Sequence, residues 1–368
     1  MAAYLKGESI DEASALAVAA ELLGRARLPV IGGLLTDIAG AEAALALAAR
    51  LGGVIDHDAG DALSRGARLM RETGGCPASF GEVRNRADLV VLLGDAPLKR
   101  DPGIVLELFP PGEGLPRPGD NPRELVVLGG GRLRAGAEVP VTAIPLGARD
   151  LPTLIAMLAA ALAGRGPRTK AKAADAKIAA LAERLRGAAF PVFVYSPSDL
   201  DEPVMHVVLD MVRRLCLTIR AATFALAAPG NGDGVNLCSA WTCGLPVRTR
   251  FVDGLPLHDP WLYATTRLID SGETDALLWV DALEAESANP PRGVPTVLLA
   301  GNEPQKGAAD IVIQVASAAR DHDAELYLPR ISGIGVIEAA QPNRDRPTVA
   351  ATLDRIAGLI ARPESRRC

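Results

Sequence analysis

The sequence predicts an α/β protein built from doubly wound parallel sheets in two lobes. Short apolar runs that are typical of buried strands alternate with longer segments of helical periodicity. Glycine and proline interrupt the chain between many of these segments. The 368 residues exceed what one hydrophobic core ordinarily holds, and the hydrophobic content of 49% is enough to fill two cores.

The first lobe is predicted to span residues 1–164. It begins with an amphipathic helix and an apolar run that stops at Gly32-Gly33, and it includes GEVRNRADLVVLLGDAP (81–97), a helix end followed by a buried strand and a turn. A surface excursion rich in proline and glycine is expected near 110–124. The other predicted helices lie at 11–25, 39–51 and 64–72, and the other predicted strands at 28–31, 54–56, 125–128 and 141–144.

The second lobe is predicted to span residues 178–368. The charged stretch 165–177 indicates either a linker or the start of a solvated helix between the lobes. Helices are predicted at 202–215 and 259–271, and strands at 190–195, 276–280, 297–300 and 311–315.

Composition argues against several classes of partner. A formal charge of −5, a pI near 5.6 and an aromatic content of 4% disfavour nucleic-acid binding. Five scattered cysteines favour reduced thiols over a disulfide framework. No secretory leader pattern is evident, and the longest uncharged apolar run, 151–164, is too short to cross a bilayer. A cytoplasmic protein without a membrane partner is expected.

Motifs that could carry chemistry all have ordinary structural alternatives. His57, between Asp56 and Asp58, is the one histidine in a plausible crevice, but no nucleophile elbow accompanies it. Cys238 and Cys243 lack two further ligands for zinc, which favours free thiols. GNGDG (230–234) lacks the Lys-Ser/Thr of a phosphate loop, which favours a flexible turn.

Three arginines, Arg65, Arg68 and Arg71, recur every third residue and therefore share roughly one helix face. A solvated face is the simpler interpretation. The alternative is a docking surface for an acidic partner or for the acidic tail of a carrier molecule.

Three longer segments together resemble a known family. They are LPVIGGLLTDIAGAEAALALAARLGGVIDH (28–57), GEVRNRADLVVLLGDAP (81–97) and the segment from GNGDGVNLCSAW to LLWVDA (230–282). Their order and spacing resemble the B subunit of formylmethanofuran dehydrogenase, in the molybdopterin oxidoreductase superfamily. The resemblance is closest to the bacterial version of that protein, which belongs to the formyltransferase/hydrolase complex of methylotrophs.

For the dehydrogenase, this resemblance implies a tungsten or molybdenum bispterin, a cysteine or selenocysteine metal ligand and an N-terminal [4Fe–4S] cluster. The sequence departs from each requirement. No cysteine precedes Cys76, and Ala62 stands where the family has its metal-binding cysteine. Asp95 would bring a carboxylate towards a cofactor phosphate, and the polar stretch that the family places after Asp281 is missing. The remnant of the pterin crevice is expected at Asp61, Ala62, Leu63, Asp95 and Asp281.

The resemblance therefore implies a noncatalytic structural subunit without its own cofactor. The complex would convert formyl-tetrahydromethanopterin to formate through a methanofuran-like carrier in one-carbon metabolism. The implied partners are an amidohydrolase-like subunit that holds zinc, a formyltransferase subunit and a small repeat-containing subunit. The alternative is a working tungsten- or molybdenum-pterin formylmethanofuran dehydrogenase subunit with an unusual ligand set.

Overall fold

The computed structural model describes residues 2–109, 123–130, 141–146, 150–165, 173–283, 288–303 and 307–360. Residues 110–122, most of the predicted excursion, and residues 166–172, in the predicted linker, lie outside the described residues.

Strands and helices alternate through most of the described chain, which confirms the α/β class. The strands are β1 Ala3–Leu5, β2 Glu8–Ile10, β3 Pro29–Leu35, β4 Val54–Ile55, β5 Leu89–Leu93, β6 Glu124–Leu128, β7 Val141–Ile144, β8 Pro191–Tyr195, β9 Ala222–Ala225, β10 Thr249–Val252, β11 Leu255–His258, β12 Ala276–Asp281, β13 Thr296–Ala300, β14 Ile311–Gln314, β15 Ala324–Leu328 and β16 Gly333–Ile337. The helices are α1 Glu12–Arg25, α2 Ile38–Leu51, α3 Gly60–Thr73, α4 Phe80–Arg86, α5 Ala96–Arg100, α6 Ile104–Leu108, α7 Leu151–Leu162, α8 Ala173–Gly187, α9 Glu202–Leu215, α10 Gly232–Cys243, α11 Thr265–Asp270 and α12 Val349–Leu359.

The chain forms two compact units that are interleaved in sequence. Unit 1 comprises Met1–Ser64, Ala228–Tyr327 and Ile334–Cys368, and unit 2 comprises Arg65–Ala227 and Leu328–Gly333. This division differs from the sequential lobes 1–164 and 178–368, because both sides of the predicted boundary belong to unit 2. The chain leaves unit 1 within α3 and returns to it at Ala228, so most of unit 2 is an insertion into unit 1.

Unit 1 is organised around a mixed sheet. Within the described residues its order is β11-β10-β4-β3-β12-β13-β14-β1-β2. The central strands β4, β3, β12, β13 and β14 are parallel, whereas β10, β11, β1 and β2 add antiparallel edges. Both faces of the central strands are apolar and buried, as expected when helices or loops cover a parallel sheet on each side.

Unit 2 contains a parallel sheet in the order β7-β6-β5-β8-β9. One face of this sheet packs with residues of α7, α8 and α9, and the other packs with residues of α4 and α6. The buried segment LVVLL of β5 lies between β6 and β8, where both faces of the strand are covered. The predicted strand within 81–97 is therefore confirmed as a strand of unit 2.

Local sequence signals account for several helix starts. Asp37 accepts a hydrogen bond from the Gly40 amide at the start of α2, and Ser79 and Glu82 form a reciprocal capping box at α4. The predicted helix 259–271 is wrong in length, because only Thr265–Asp270 is helical. Within the described residues, no helix has the length and apolarity needed to cross a membrane.

Candidate functional site

The carboxyl ends of the parallel strands in unit 1 meet at one edge of the sheet, and we call this region the carboxyl edge. It consists of the residues that directly follow β3, β4, β12, β13 and β14. In open α/β sheets, ligands bind in a crevice outside this end of the strands. The side chains at this edge therefore decide what chemistry unit 1 can support.

His57 lies at the carboxyl edge, directly after β4, but both of its ring nitrogens already have partners inside the protein. Nδ1 accepts a hydrogen bond from the Ala59 amide at 2.9 Å, and Nε2 lies 3.0 Å from the carbonyl oxygen of Gly230. This pairing requires the neutral ring with its proton on Nε2. Burial lowers the pKa of His57 to about 4, against the opposing effect of the Gly230 carbonyl. His57 is therefore a neutral, buried imidazole with both ring nitrogens bonded. That it takes no part in catalysis stays a prediction.

Asp56, next to His57, belongs to a buried ionic network. Its carboxylate accepts hydrogen bonds from the His57 amide, at 2.8 Å, and from the amide and hydroxyl of Thr265, each at 2.9 Å. The Arg248 guanidinium lies 3.4 Å from the same carboxylate and also donates to the Pro260 carbonyl at 2.6 Å. Burial raises the pKa of Asp56, while Arg248 acts in the opposite direction. The network joins β4 to the segment before β10 and to α11.

The segment that opens α10 closes over part of the carboxyl edge. Asn231, in the left-handed backbone conformation, donates from Nδ2 to the Thr36 carbonyl and accepts from the Tyr327 amide through Oδ1, both at 2.9 Å. A Cβ atom placed on Gly230 would lie 2.7 Å from the Leu35 side chain, so the two segments are closely packed. Gly230 and Asn231 form a turn, as predicted, but the remaining residues of GNGDG begin α10.

The five residues of the expected crevice remnant are distributed over both units. Asp61, Ala62 and Leu63 begin α3, and Asp281 ends β12, all in unit 1. Asp61 is exposed and pairs with Arg248 at 2.5 Å. Ala62 is buried, and Leu63 is partly buried against the core of unit 1. Asp95 belongs to unit 2, where it precedes α5 and pairs with Lys99 at 2.9 Å. That these five once lined a pterin site stays a prediction.

The side chains present do not fit the metal centre of a pterin dehydrogenase. Ala62 has no donor atom, and its side chain is buried. Among the described cysteines, Cys238 is in the core of unit 1, where burial raises its pKa to about 11, and the Cys243 thiol contacts the Ser239 carbonyl within α10. Cys76 and Cys216 belong to unit 2. None of these four thiols belongs to the segments that form the carboxyl edge described above, so no thiolate is positioned there for tungsten or molybdenum.

One group of side chains in the described part of the chain has the composition of a metal site, but it is incomplete. Glu72, Glu202 and His206 of unit 2 bring one potential ligand atom each within 4.8 Å of one another. Arg68 already forms an ion pair with Glu202. Three partly exposed ligands with a competing guanidinium do not make a closed structural zinc site, which ordinarily has four.

The three arginines of the predicted helix face have separate environments. Arg65 donates to the carbonyls of Pro197 and Leu200, and Arg68 pairs with Glu202, all within unit 2. Arg71 is largely exposed, with Glu72 at 3.9 Å. Two of the three guanidinium groups therefore hold the chain's own segments, which favours a structural role over a docking surface for an acidic partner.

Sequence reasoning missed Arg248, and it considered Asn231 only as part of GNGDG and not for its own hydrogen bonds. Both have positive φ angles, 65° and 58°. Asparagine adopts this conformation more readily than most residues, and its place between two glycines was a usable signal. Arginine at positive φ has no comparable signal in a single sequence.

Comparison with known proteins places the chain among relatives that match most of its length. No protein-family profile matches it. The B subunit of the formyltransferase/hydrolase complex Fhc of Methylorubrum extorquens is 30% identical over 363 residues, covering 97% of each chain. The chain belongs to the family of B subunits of formyltransferase/hydrolase complexes.

A solved structure agrees with this membership. The crystal structure of the complex FhcABCD from Methylorubrum extorquens, determined with methylofuran, contains a chain that matches 97% of this one with a TM-score of 0.82 and 29% identity. That match covers 98% of the relative's chain. The resemblance predicted from the three sequence segments is therefore confirmed.

More distant relatives are named as B subunits of tungsten-containing formylmethanofuran dehydrogenase 2. The protein of Methanococcus maripaludis is 23% identical over 289 residues, covering 74% of this chain and 64% of the relative. The protein of Methanocaldococcus jannaschii is 24% identical over 345 residues, covering 89% of this chain and 78% of the relative. The family thus has relatives that are named for tungsten, although the donor set described above differs from such a centre.

Proposed function

We propose that the chain is a noncatalytic structural subunit of a formyltransferase/hydrolase complex. One observation carries the proposal: the chain's own groups bond to the residues that follow β3 and β4, in the part of the carboxyl edge where the fold would hold a ligand. His57 is bonded at both ring nitrogens, and Asn231 joins Thr36 to Tyr327 across the edge. An edge bonded in this way supports the fold and leaves His57 without a free nitrogen for proton transfer.

The complex would convert formyl-tetrahydromethanopterin to formate through a methanofuran-like carrier, in the cytoplasm, as part of one-carbon metabolism in a methylotroph. Its other subunits would be amidohydrolase-like, formyltransferase and small repeat-containing chains, with zinc in the amidohydrolase-like subunit. Support comes from the relative whose crystal structure is that of the complex FhcABCD with methylofuran. The chain itself would bind no cofactor and would descend from a molybdopterin-oxidoreductase-like scaffold.

A working tungsten or molybdenum enzyme is the second candidate, since two relatives carry tungsten in their names. The donor set opposes it, because Ala62 offers no ligand atom and the four described thiols lie in other segments. Identity of 23% and 24% to those relatives is also below the 30% shared with the bacterial protein.

Exposed apolar side chains are frequent in one stretch of unit 1, as expected where another subunit covers the surface. On the edge strand β11, Leu255 and Leu257 are two residues apart and therefore lie on the same side of the strand. The large apolar side chains exposed in this stretch are Leu237, Trp241, Leu255, Leu257, Trp261 and Leu262.

Co-expression tests the proposal. The chain expressed with the amidohydrolase-like subunit should elute with it in size-exclusion chromatography, whereas the chain alone should aggregate or melt at a lower temperature. A double variant, Leu255→Glu with Leu257→Glu, should recover at least tenfold less partner while its melting temperature is unchanged. Leu217→Glu, at an 80% exposed leucine of unit 2, is the matched control and should recover the partner normally. A stable, monodisperse monomer with no affinity for the partner would contradict the proposal.

Replacement of His57 by glutamine should leave formate release by the assembled complex within about threefold of the wild type, since loss of a true general base typically costs 10² or more. Glutamine is neutral and can donate to the Gly230 carbonyl in place of Nε2. Turnover is measured on complexes matched for subunit content by chromatography. A hundredfold fall in turnover with intact assembly would place catalysis at the carboxyl edge.

A further inference from the structure

Unit 2 contains a pair of free cysteine thiols that lie close together. The Sγ atoms of Cys76 and Cys216 lie 3.7 Å apart, although 140 positions separate the two residues in the chain. Cys216 is exposed and Cys76 is partly buried against the core of the unit. Closing a disulfide would require the sulfur atoms to approach by about 1.7 Å, from 3.7 Å to the S–S bond length.

The backbone holds both cysteines against the same short segment, 221–223. The Cys76 carbonyl accepts a hydrogen bond from the Thr223 amide at 2.9 Å, and the Thr223 carbonyl accepts one from the Ala78 amide at 2.8 Å. On the other side, the Cys216 thiol lies 3.2 Å from the Ala221 carbonyl. The proximity of the thiols therefore follows from the pairing of the 76–78 segment with β9.

We propose that Cys76 and Cys216 form a modification site, a dithiol that a peroxide converts into an intrachain disulfide. The exposed Cys216 thiolate attacks a peroxide oxygen and breaks the O–O bond, which gives a sulfenic acid and, after proton transfer, water. The Cys76 sulfur then attacks the Cys216 sulfur and displaces the second oxygen as water. Two thiols and one hydrogen peroxide give one disulfide and two waters, and two electrons pass from sulfur to peroxide.

The environments of the two thiols suit this order of events. Burial, together with the neighbouring Cys216 thiol, raises the pKa of Cys76, which makes this thiol a poor first nucleophile. Its distance of 3.7 Å from the Cys216 sulfur places it for the second attack. The disulfide would join the segment before α4 to the end of α9. Because it would close a loop of about 140 residues in the unfolded chain, it should make unit 2 harder to unfold.

Peptide mapping of the full chain tests the proposal. After hydrogen peroxide treatment and alkylation, the peptides containing Cys76 and Cys216 should be recovered as one disulfide-linked species that dithiothreitol separates. The melting temperature should rise by several degrees on oxidation and return on reduction. Cys216→Ser should abolish both changes, whereas the matched variant Cys243→Ser should retain them. Phenylarsine oxide, which bridges close dithiols, should protect both residues of the untreated chain from alkylation.

Three results would overturn the proposal. One is equal alkylation of Cys76 in peroxide-treated wild type and Cys216→Ser. Another is oxidation of Cys216 that stops at sulfinic or sulfonic acid while Cys76 remains a thiol. The third is a Cys216 disulfide found between two copies of the chain, shown by a dimer in non-reducing electrophoresis.

Discussion

Replacement of Arg248 by methionine is expected to lower the free energy of unfolding by about 3–5 kcal/mol. Arg248 is the cation beside the buried Asp56 carboxylate, and its side chain is only 9% exposed. Methionine keeps much of the apolar volume but removes the charge, so it leaves a carboxylate that is 3% exposed without its counter-ion. The φ of 65° at this position is unfavourable for both residues, so backbone strain contributes little to the difference.

Urea unfolding measures this loss, with Arg25→Met as the matched control. Arg25 forms an exposed ion pair with Glu21, and such pairs contribute at most about 1 kcal/mol. The double variant Arg248→Met with Asp56→Asn should recover part of the lost stability, because the remaining amide is neutral and can still accept from Thr265. If Arg248→Met were no more destabilising than Arg25→Met, the network would have no structural importance.

Acidification is expected to lower the free energy of unfolding by up to about 3 kcal/mol because of the protonation of His57. The expected size is roughly 1.4 kcal/mol for each unit by which the pKa changes on folding. Its pKa falls from 6.5 to about 4 on folding because the ring is buried. As the pH drops below 6.5, His57 takes up a proton in the unfolded chain but stays neutral in the folded chain. The free energy of unfolding therefore falls. The loss is complete only below pH 4, where both forms are protonated, and the stabilising contribution is fully present above pH 6.5.

Urea unfolding at pH 7.5 and pH 5.0 isolates this contribution when the wild type is compared with His57→Gln. The wild type should lose about 2 kcal/mol more than the variant between these two pH values. Leu217→Gln, which alters a highly exposed leucine of unit 2 and no titratable group, is the matched control and should have the pH dependence of the wild type. An identical pH dependence in wild type and His57→Gln would mean that the pKa of His57 is the same in the folded and unfolded chains, which would contradict the prediction.

Local periodicity predicted individual elements well because each depends on neighbouring residues. Helix α9 begins and ends at the predicted residues 202 and 215, and the strand predicted at 276–280 corresponds to β12, Ala276–Asp281. The grouping of strands into sheets could not be predicted in the same way. An apolar strand has the same sequence pattern whichever sheet it joins, so β3 and β12 pair directly although about 240 residues lie between them.

The candidate site was predictable in part. The position of His57 after a strand, and the weakness of the case for catalysis there, followed from the sequence. The structural reason for it could not be predicted from the sequence. The Gly230 carbonyl that accepts the hydrogen bond from His57 Nε2 belongs to a segment 173 residues away. The buried pairing of Asp56 with Arg248 spans 192 residues and likewise has no local signature.

Elemental and pterin analysis of the assembled complex, purified through a tag on this chain, tests most directly whether the subunit works without its own cofactor. We expect less than about a tenth of an atom of tungsten, molybdenum or cluster iron per copy of this chain, and no pterin on denaturation, from preparations that release formate. This result would match a carboxyl edge bonded internally through His57 and Asn231. One tungsten or molybdenum atom per chain, with a pterin released on denaturation, would contradict the account and establish the chain as a working pterin enzyme.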